Sequence, residues 1–384
     1  MNTPLSIVHM LPAMTKGGAE RVAVDLANAS VQDGHEVTLI AGWKVDETVL
    51  RVQLDPAVTV IYMTENPRGI VQRYAAALYW VMKNRRWIAG KDVLHLHLTQ
   101  ASLLGTLVYY LRNLTGGAKP ALVETYHSVG MKIPNRVRAV HAWNCKHRDA
   151  LALMALDTYW RAFTDHNPKL AMEFIPNGVD TPVGPATAEE TTAYLAEIGM
   201  PAKARRIIGT VGQFRPSRQP ETIARILIDV LKETPDDVHA LMCGAGSEYD
   251  KVKALVDAEG MADRFILPGV VNVPRVAMSA MSIYLTINVG RITGIAALEA
   301  AFCAVPVVAL QVDPDCEPDE ADWIWSSSSP KTLSQHMISL LKDNEECTQT
   351  GERQHAHAVA KYSVKTMRRE YVALYRRVVE NRRK

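Results

Sequence analysis

The sequence of 384 residues has little of what marks secreted, membrane-spanning or nucleic-acid-binding proteins. Its cysteines are odd in number and show no CxxC spacing, which disfavours both a disulfide framework and a zinc site. No apolar run approaches the roughly 18–20 residues that cross a bilayer. The formal net charge of +2 gives no overall attraction to nucleic acid. We therefore expect a soluble, cytoplasmic protein with reduced thiols. The cysteines are Cys145, Cys243, Cys303, Cys316 and Cys347.

A complete dinucleotide fingerprint is also absent. Gly244 and Gly246 have the spacing of the first two glycines of GxGxxG, but Tyr249 occupies the position of the third. A nicotinamide site, and with it an oxidoreductase, is therefore disfavoured. Asp313 and Asp315 could form a metal-binding pair, but the further acids around them favour a solvated acidic loop.

Short apolar runs alternate with longer amphipathic ones, which is typical of a parallel sheet covered by helices on both faces. The pattern breaks at the turn residues Pro176, Asn177 and Gly178 and then starts again. The sequence therefore predicts an α/β protein with two doubly wound domains, residues 1–180 and 181–360. The predicted strands are residues 6–11, 36–42, 59–63, 93–98, 121–127, 206–214, 238–246, 265–270, 283–288 and 305–310.

Several residues of the first domain follow or lie in predicted strands. Gly17 and Gly18 precede a helix, where glycines admit backbone amides to a phosphate, although a strand–helix turn can need glycine for geometry alone. His95 and His97 share one face of a strand, and without a nearby cysteine or carboxylate we favour a hydrogen-bonded packing pair over a metal site. His127 ends a strand at the carboxyl edge of the sheet, where ligands bind in α/β proteins, so we predict a functional role for it.

Charged residues stand out in the second domain. Arg215 and Arg218 lie in one loop ahead of a helix, which suits a diphosphate, although two solvated surface arginines would give the same pattern. Glu299 lies in an otherwise apolar helix, where a buried carboxylate is costly unless a polar partner meets it. Arg291 stands eight residues before Glu299.

Residues 68–91 combine cations with aromatic side chains in a predicted amphipathic helix. Such a helix can lie on an anionic membrane surface, but basic amphipathic helices are also common on ordinary protein surfaces. Contact with the inner face of the membrane and plain solvent exposure are therefore both kept as interpretations. The cations are Arg68, Arg73, Lys83, Arg85, Arg86 and Lys91, and the aromatic residues are Tyr74, Tyr79, Trp80 and Trp87.

Taken in order, these motifs resemble the retaining glycosyltransferases of family 4, also called glycosyl transferases group 1. The matching segments are residues 17–22, Asp92 with His95, His127, residues 175–180 and residues 298–309. The resemblance runs along nearly the whole chain. It implies the GT-B fold, in which two Rossmann-like domains hold the active site in the cleft between them. It further implies that a final helix, residues 361–384, crosses back to the first domain.

The family resemblance also implies a reaction. A sugar would pass from a nucleotide-diphosphate donor to an acceptor with retained anomeric configuration and without a metal or other cofactor. The expected acceptor is a growing bacterial surface glycan or a lipid-linked sugar.

Carried onto this sequence, the resemblance gives catalytic roles to His127, Arg218 and Glu299. His127 would contact the donor sugar, and Arg218 matches the family's phosphate-binding lysine. Glu299 would accept hydrogen bonds from the ribose hydroxyls. These bonds would offset the free-energy cost of burying a carboxylate in an apolar helix. Gly17 and Gly18 would let the backbone lie against the donor diphosphate.

The remaining donor contacts implied by the resemblance lie in the second domain. Val271, in the turn after Gly269, would hold the base. Gly294 and Ile295 would present the amides of a helix N-terminus to the phosphates, as helix electrostatics favours.

The sequence departs from the family pattern at three places. Arg291 replaces a glutamate that would contact the donor sugar, and Gln213 replaces an arginine, although Arg215 could substitute for it. The glycine-rich loop after the 298–309 motif is replaced by residues 310–323, a segment that is rich in aspartate and glutamate.

Three explanations of Arg291 compete. We favour a structural ion pair with a neighbouring acid, such as one in residues 313–320. Recognition of a carboxylate on a uronic-acid donor comes next, since arginine suits bidentate carboxylate binding. Loss of transferase activity is the third.

Two other functions fit the same fold. A nucleotide-sugar epimerase would convert the donor with no acceptor present. A non-catalytic partner would bind nucleotide or glycan and support another transferase.

Overall fold

The computed structural model describes most of the chain and divides it into two compact units. The N-terminal unit comprises Met1–Asp180 and Val364–Lys384, and the C-terminal unit comprises Thr181–Ser363. Each unit contains one parallel sheet with helices, which confirms the expected pair of doubly wound domains. The described residues are 3–15, 18–44, 53–65, 69–111, 119–127, 135–154, 170–179, 184–288, 293–312 and 323–383.

The N-terminal unit is built on a seven-stranded parallel sheet with the order β3-β2-β1-β4-β5-β6-β7. Its strands Val93–His97 and Ala121–Tyr126 are buried along their whole length, as expected for a sheet covered on both faces. The sequence did not predict β6 and β7, because four residues are too few to show a periodicity. The strands are β1 (Ser6–Ala13), β2 (Glu36–Trp43), β3 (Thr59–Thr64), β4 (Val93–His97), β5 (Ala121–Tyr126), β6 (Ala150–Leu153) and β7 (Ala171–Phe174).

The helices of the N-terminal unit correct one prediction. Residues 68–91, predicted as one helix, form two, because the chain leaves helical geometry at Asn84. The Asn84 side chain donates to the Trp80 carbonyl at 2.8 Å and so competes with the backbone ladder. The helices are α1 (Gly18–Gln32), α2 (Ile70–Lys83), α3 (Arg85–Ala89), α4 (Leu98–Leu111) and α5 (Asn135–Cys145).

The C-terminal unit contains a six-stranded parallel sheet with the order β10-β9-β8-β11-β12-β13. Its strands are β8 (Arg206–Val211), β9 (Val238–Cys243), β10 (Phe265–Gly269), β11 (Ile283–Asn288), β12 (Val307–Gln311) and β13 (Trp325–Ser327). Its helices are α6 (Ala188–Glu197), α7 (Pro220–Lys232), α8 (Tyr249–Ala258), α9 (Pro274–Ser279), α10 (Ile295–Phe302), α11 (Pro330–Lys342) and α12 (Asn344–Tyr362).

The helix α7 shows how sequence pattern becomes packing in this unit. Ile223, Ile226, Leu227, Val230 and Leu231 recur at helical spacing and are all buried. They join the core cluster that also contains residues of β8, β9 and β11. Within the part of the chain that the structure describes, no helix is both long and apolar enough to cross a membrane.

The last helix, α13 (Val364–Arg383), packs in the core of the N-terminal unit. Its buried residues include Tyr371 and Tyr375, whose hydroxyls reach the sheet. The Tyr375 hydroxyl lies 2.6 Å from His95 Nδ1, and the Tyr371 hydroxyl lies 2.7 Å from Thr125 Oγ1. This helix therefore supplies hydrogen-bond partners to buried polar residues of β4 and β5.

Replacing Tyr375 by phenylalanine should destabilise the protein by about 1–3 kcal/mol, because His95 Nδ1 would remain buried without a partner. The matched control is Tyr79→Phe, since Tyr79 is 67% exposed and its hydroxyl meets water. Urea denaturation of both variants measures the difference. Equal stability of the two variants would contradict the assignment of this hydrogen bond.

Candidate active site

The carboxyl ends of parallel strands meet at one edge of each sheet, and most of the sequence-predicted site residues lie there. In the N-terminal unit this edge carries the residues after β1, β4 and β5. In the C-terminal unit it carries the residues after β8, β10 and β11. The two edges carry different residues and are described one after the other.

A chain of three histidines runs to the carboxyl edge of the N-terminal sheet. His9 of β1 lies level with His95 of β4 in the strand register. His9 Nδ1 lies 3.1 Å from His97 Nε2, and His97 Nδ1 lies 3.0 Å from His127 Nε2. The structure thus brings His127 and His97 together and adds His9, which sequence analysis missed. The available signal was the position of His9 in a strand that neighbours β4 in doubly wound sheets.

The two histidines of β4 are hydrogen-bonded, but not to each other. His95 Nε2 lies 2.7 Å from Thr125 Oγ1, and its Nδ1 is held by Tyr375. His97 is held by the other two members of the chain. The nitrogens of His9, His95 and His97 lie within 4.8 Å of one another, which is a possible metal cluster. Because hydroxyl groups occupy both nitrogens of His95, we interpret the group as a hydrogen-bonded network.

Burial keeps these imidazoles neutral. It lowers the pKa of His9 to about 3 and that of His127 to about 4, and it holds the pKa of His97 well below the ordinary value. A neutral imidazole has one N–H donor and one acceptor nitrogen. His127 uses Nε2 on His97, and its Nδ1 has no hydrogen-bond partner among the described residues. That nitrogen is therefore available to a hydroxyl group of a ligand.

The start of α1 is already supplied with a negative charge. Glu20 lies in the first turn, is buried, and accepts a hydrogen bond from the Thr15 hydroxyl. A carboxylate at this position stabilises the positive end of the helix dipole and would repel a phosphate. Gly18 begins this helix, whereas Gly17 lies outside the described residues.

A buried ion pair, which sequence analysis did not identify, lies in β5 of the same sheet. Glu124 of β5 accepts from Arg148 Nε at 2.7 Å and from the Ser102 hydroxyl at 2.8 Å. Burial alone would raise the pKa of Glu124, but the charge of Arg148 and the contact with His141 hold it below the ordinary value. The pair ties β5 to α4 and to the residues after α5.

In the C-terminal unit the loops after β8 and β9 are held together by backbone hydrogen bonds. The Gly212 amide donates to the Cys243 carbonyl at 2.9 Å, and the Phe214 amide donates to the Ala245 carbonyl at 3.0 Å. Gly244 has a φ of 144°, and a Cβ atom there would meet the Gly212 carbonyl. The partial glycine fingerprint thus serves close backbone packing.

The helix α10 presents a different N-terminus from that of α1. Gly294 is its N-cap, and its first turn contains no acidic residue. The first amides of a helix have no intrahelical acceptor, and among the described residues those of Ile295 and Ala296 have no other acceptor, which suits an anion. Glu299 lies four residues after Ile295, on the same side of the helix and about 6 Å further along the axis.

Glu299 is close enough to influence its neighbours. Burial raises the pKa of Tyr284 to about 12, and the charge of Glu299 adds to the rise. The Tyr284 hydroxyl donates to the Val211 carbonyl at 2.9 Å, so it links β11 to the end of β8. The carboxylate therefore lies near the Tyr284 hydroxyl, at the end of β8.

The predicted arginines lie in the loop between β8 and α7. Gln213, Arg215 and Arg218 are all exposed, and among the described residues neither arginine has an acidic partner. Val271 follows Gly269 in the loop after β10. Arg291 and the acidic residues 313–320 lie outside the described residues, so the proposed ion pair between them stays a prediction.

Asn288 is a further residue that sequence analysis missed. It ends β11, is buried, and its Oδ1 has no hydrogen-bond partner within the described ranges. It lies six residues before Gly294. An amide that ends an otherwise apolar strand was the signal, because the last residue of a parallel strand faces the ligand edge.

Two family models match the chain, one after the other. Glycosyltransferase family 4 matches residues 16–182, and glycosyl transferases group 1 matches residues 205–343. The chain belongs to the family 4 glycosyltransferases. The expected family, the GT-B type of fold and the enzymatic activity are thereby confirmed.

Two curated enzymes are similar to this glycosyltransferase. The N-acetyl-α-D-glucosaminyl L-malate synthase of Bacillus anthracis is 20% identical over 370 residues, which cover 94% of this chain and 93% of that enzyme. The 2-deoxystreptamine N-acetyl-D-glucosaminyltransferase of Streptomyces fradiae is 28% identical over 183 residues, or 46% of this chain and 40% of that enzyme.

A solved structure supports the fold over the whole length of the glycosyltransferase. The Anabaena protein HepE, in complex with UDP and glucose, matches with a TM-score of 0.77 at 16% identity. The match covers 96% of this chain and 99% of HepE. HepE has also been solved in complex with UDP-glucose.

The buried histidines predict a loss of stability in acid. The folded protein keeps His9 and His127 neutral down to pH values of about 3 and 4, whereas the unfolded chain takes up protons near 6.5. Stability should therefore be full above about pH 6.5 and fall below it, by about 1.4 kcal/mol per pH unit for each histidine.

The contribution of His127 can be separated by substitution. In His127→Gln, the free energy of unfolding should fall less steeply between about pH 6.5 and 4 than in the wild type, by about one proton. Urea denaturation at a series of pH values measures both slopes. Identical slopes would contradict a neutral, buried His127.

Proposed function

We propose that this glycosyltransferase moves a sugar from a nucleotide-diphosphate sugar to a glycan or lipid-linked acceptor, with retained anomeric configuration and without a metal ion. The observation that carries the donor assignment is the arrangement of α10. The amides of Ile295 and Ala296, which follow the N-cap Gly294, and a carboxylate one helical turn later match a ligand that has a diphosphate and a ribose diol at similar spacing.

The diphosphate is assigned to α10 rather than to α1. The two helices start at the carboxyl edges of their sheets, but only α1 has an acid in its first turn. A phosphate at α1 would meet Glu20, whereas a phosphate at α10 meets the uncompensated helix dipole. This comparison favours for Gly18 the role of shaping the turn.

Arg218 and His127 complete the proposed chemistry. Arg218 is an exposed cation in the loop before α7 and would neutralise charge that develops on the leaving diphosphate. Neutral His127 would exchange a hydrogen bond with a hydroxyl of the transferred sugar through Nδ1. The sequence offers no clear protein nucleophile, so in the proposed mechanism the leaving diphosphate assists attack on the same face of the sugar.

Uridine diphosphate is the first nucleotide to test, because HepE binds UDP and UDP-glucose. The curated relatives transfer or carry N-acetylglucosaminyl groups by name, which favours UDP-N-acetylglucosamine and UDP-glucose as donors. Their names contain the small molecules L-malate and 2-deoxystreptamine, so small-molecule acceptors are assayed beside lipid-linked and glycan acceptors.

Nucleotide binding is predicted to depend on Glu299. A thermal-shift series with UDP, GDP, TDP and ADP should show a rise in melting temperature with one of them, because a ligand that binds only the folded state stabilises it. In Glu299→Gln the Kd for that nucleotide should rise about 10- to 100-fold, since hydrogen bonds to a charged group contribute about 1.5–3 kcal/mol.

The matched control is Glu259→Gln, which removes a carboxylate of the same unit that is paired with Lys232 at the C-terminal ends of α7 and α8, away from the carboxyl edge of the sheet. Its Kd should equal that of the wild type. No shift with any nucleotide would contradict the donor assignment and favour a non-catalytic role.

The transfer reaction is predicted to retain configuration and to resist EDTA. NMR of the product from an α-linked donor should show an α linkage. Arg218→Ala should lower kcat by about 100-fold, by analogy with the loss of one charge-stabilising donor. Arg369→Ala, which removes an exposed cation of α13, should leave kcat unchanged. An inverted product, or activity that EDTA abolishes and a divalent metal restores, would overturn the mechanism.

A further inference from the structure

The helix α2 has an apolar surface on both of its sides. One side, with Ala77 and Val81, is buried in the core of the N-terminal unit. The other side, here called the outer face of α2, faces solvent and has no charged residue before Lys83, the last residue of the helix. The outer face consists of Val71, Tyr74, Leu78, Tyr79 and Met82.

The exposure of this face is large for side chains of this kind. Val71 is 80% exposed and Leu78 is 48% exposed, and both recur at helical spacing with Tyr74 and Met82. Single exposed apolar residues are ordinary, but a continuous exposed apolar stripe marks an interaction site.

A cluster of cations borders the outer face at its C-terminal end. Lys83, Arg85 and Arg86 are exposed, and within the described residues none of them has an acidic partner. Residues 69–91 contain five cations and no acid. Trp87 lies beside this cluster and packs edge-on against Trp80 at 6.3 Å.

We propose that the outer face of α2, with the cations Lys83, Arg85 and Arg86, docks on an anionic phospholipid surface. The apolar stripe would enter the boundary between headgroups and acyl chains, and the cations would lie among the phosphates. Tyrosine and tryptophan at such a boundary keep an apolar body and a polar tip in suitable surroundings.

Charge decides between this surface and other occupants. A second copy that packed through the same face would offer no acidic side chain in residues 69–91 to pair with these cations. Nucleic acid would need cations along the contact, whereas the centre of this face is apolar. An anionic lipid surface complements both parts at once.

The inference gives the proposed function a partner, since a lipid-linked acceptor would be met at the membrane. It is tested without donor or acceptor, so its failure would leave glycosyl transfer untouched. The full-length protein is sedimented with vesicles of phosphatidylcholine alone or mixed with phosphatidylglycerol. It should bind the mixed vesicles only, and more weakly as salt is raised.

Two variants separate the contributions. Removing the cations with Lys83→Ala, Arg85→Ala and Arg86→Ala should weaken binding about fivefold for each, or on the order of 100-fold together. Val71→Ser with Leu78→Ser should also weaken binding, with little effect on folding because both residues are exposed.

The matched control removes three exposed cations elsewhere, with Lys331→Ala, Lys365→Ala and Arg369→Ala. It should bind the mixed vesicles like the wild type. The proposal is overturned if the wild type does not sediment, if it binds phosphatidylcholine equally well, or if the control loses as much binding as the Lys83 triple variant.

Discussion

Parallel pairing is the constraint on which the rest of this structure depends. In a parallel sheet every strand ends at the same edge, so residues far apart in sequence arrive side by side. His97 and His127 are thirty residues apart and meet because β4 and β5 are neighbours in register. Asn288 and Gly294 reach the edge of the other sheet for the same reason, together with the loop that carries Arg218. Strand order and register therefore decide which polar side chains meet at each edge.

Burial of polar groups is the second theme, and the two units solve it differently. The N-terminal unit surrounds its histidines with hydroxyls and other imidazoles, so that burial leaves them neutral and paired. Its carboxylate Glu124 keeps its charge because Arg148 lies against it. The C-terminal unit places Glu299 in a short apolar helix near the sheet edge, where a ligand diol can share it. The first arrangement holds the chain of imidazoles that ends at His127, and the second is the anion site that we propose at the start of α10.

Sequence patterns were sufficient for elements that are long or strongly periodic. Ten apolar runs predicted ten strands, and the amphipathic pattern predicted α1, α7 and α13 within a few residues. Three strands of three or four residues, β6, β7 and β13, were too short to show a period. The break at Asn84 was missed because it depends on one side-chain hydrogen bond to Trp80, which competes with helix propensity only in that local geometry.

The candidate site was less accessible to sequence reasoning than the fold. The family resemblance named His127 and Glu299, but not His9, because its contact with His97 follows from strand order and register. The prediction of a hydrogen-bonded packing pair at His95 and His97 named no partners. In the structure their ring centroids lie 4.0 Å apart, and Thr125 and Tyr375 occupy the nitrogens of His95. Sequence analysis left two roles open for Gly18, contact with a phosphate and the geometry of a turn. The carboxylate of Glu20, which accepts from Thr15 in the first turn of α1, favours the turn.

In the proposed donor site, α10 and not α1 holds the diphosphate. A crystal structure of the protein with bound UDP distinguishes the two helices. We expect phosphate oxygens within hydrogen-bond distance of the Ile295 and Ala296 amides, and ribose hydroxyls on the carboxylate of Glu299. Phosphates at the start of α1, or a ribose away from Glu299, would overturn the proposed site.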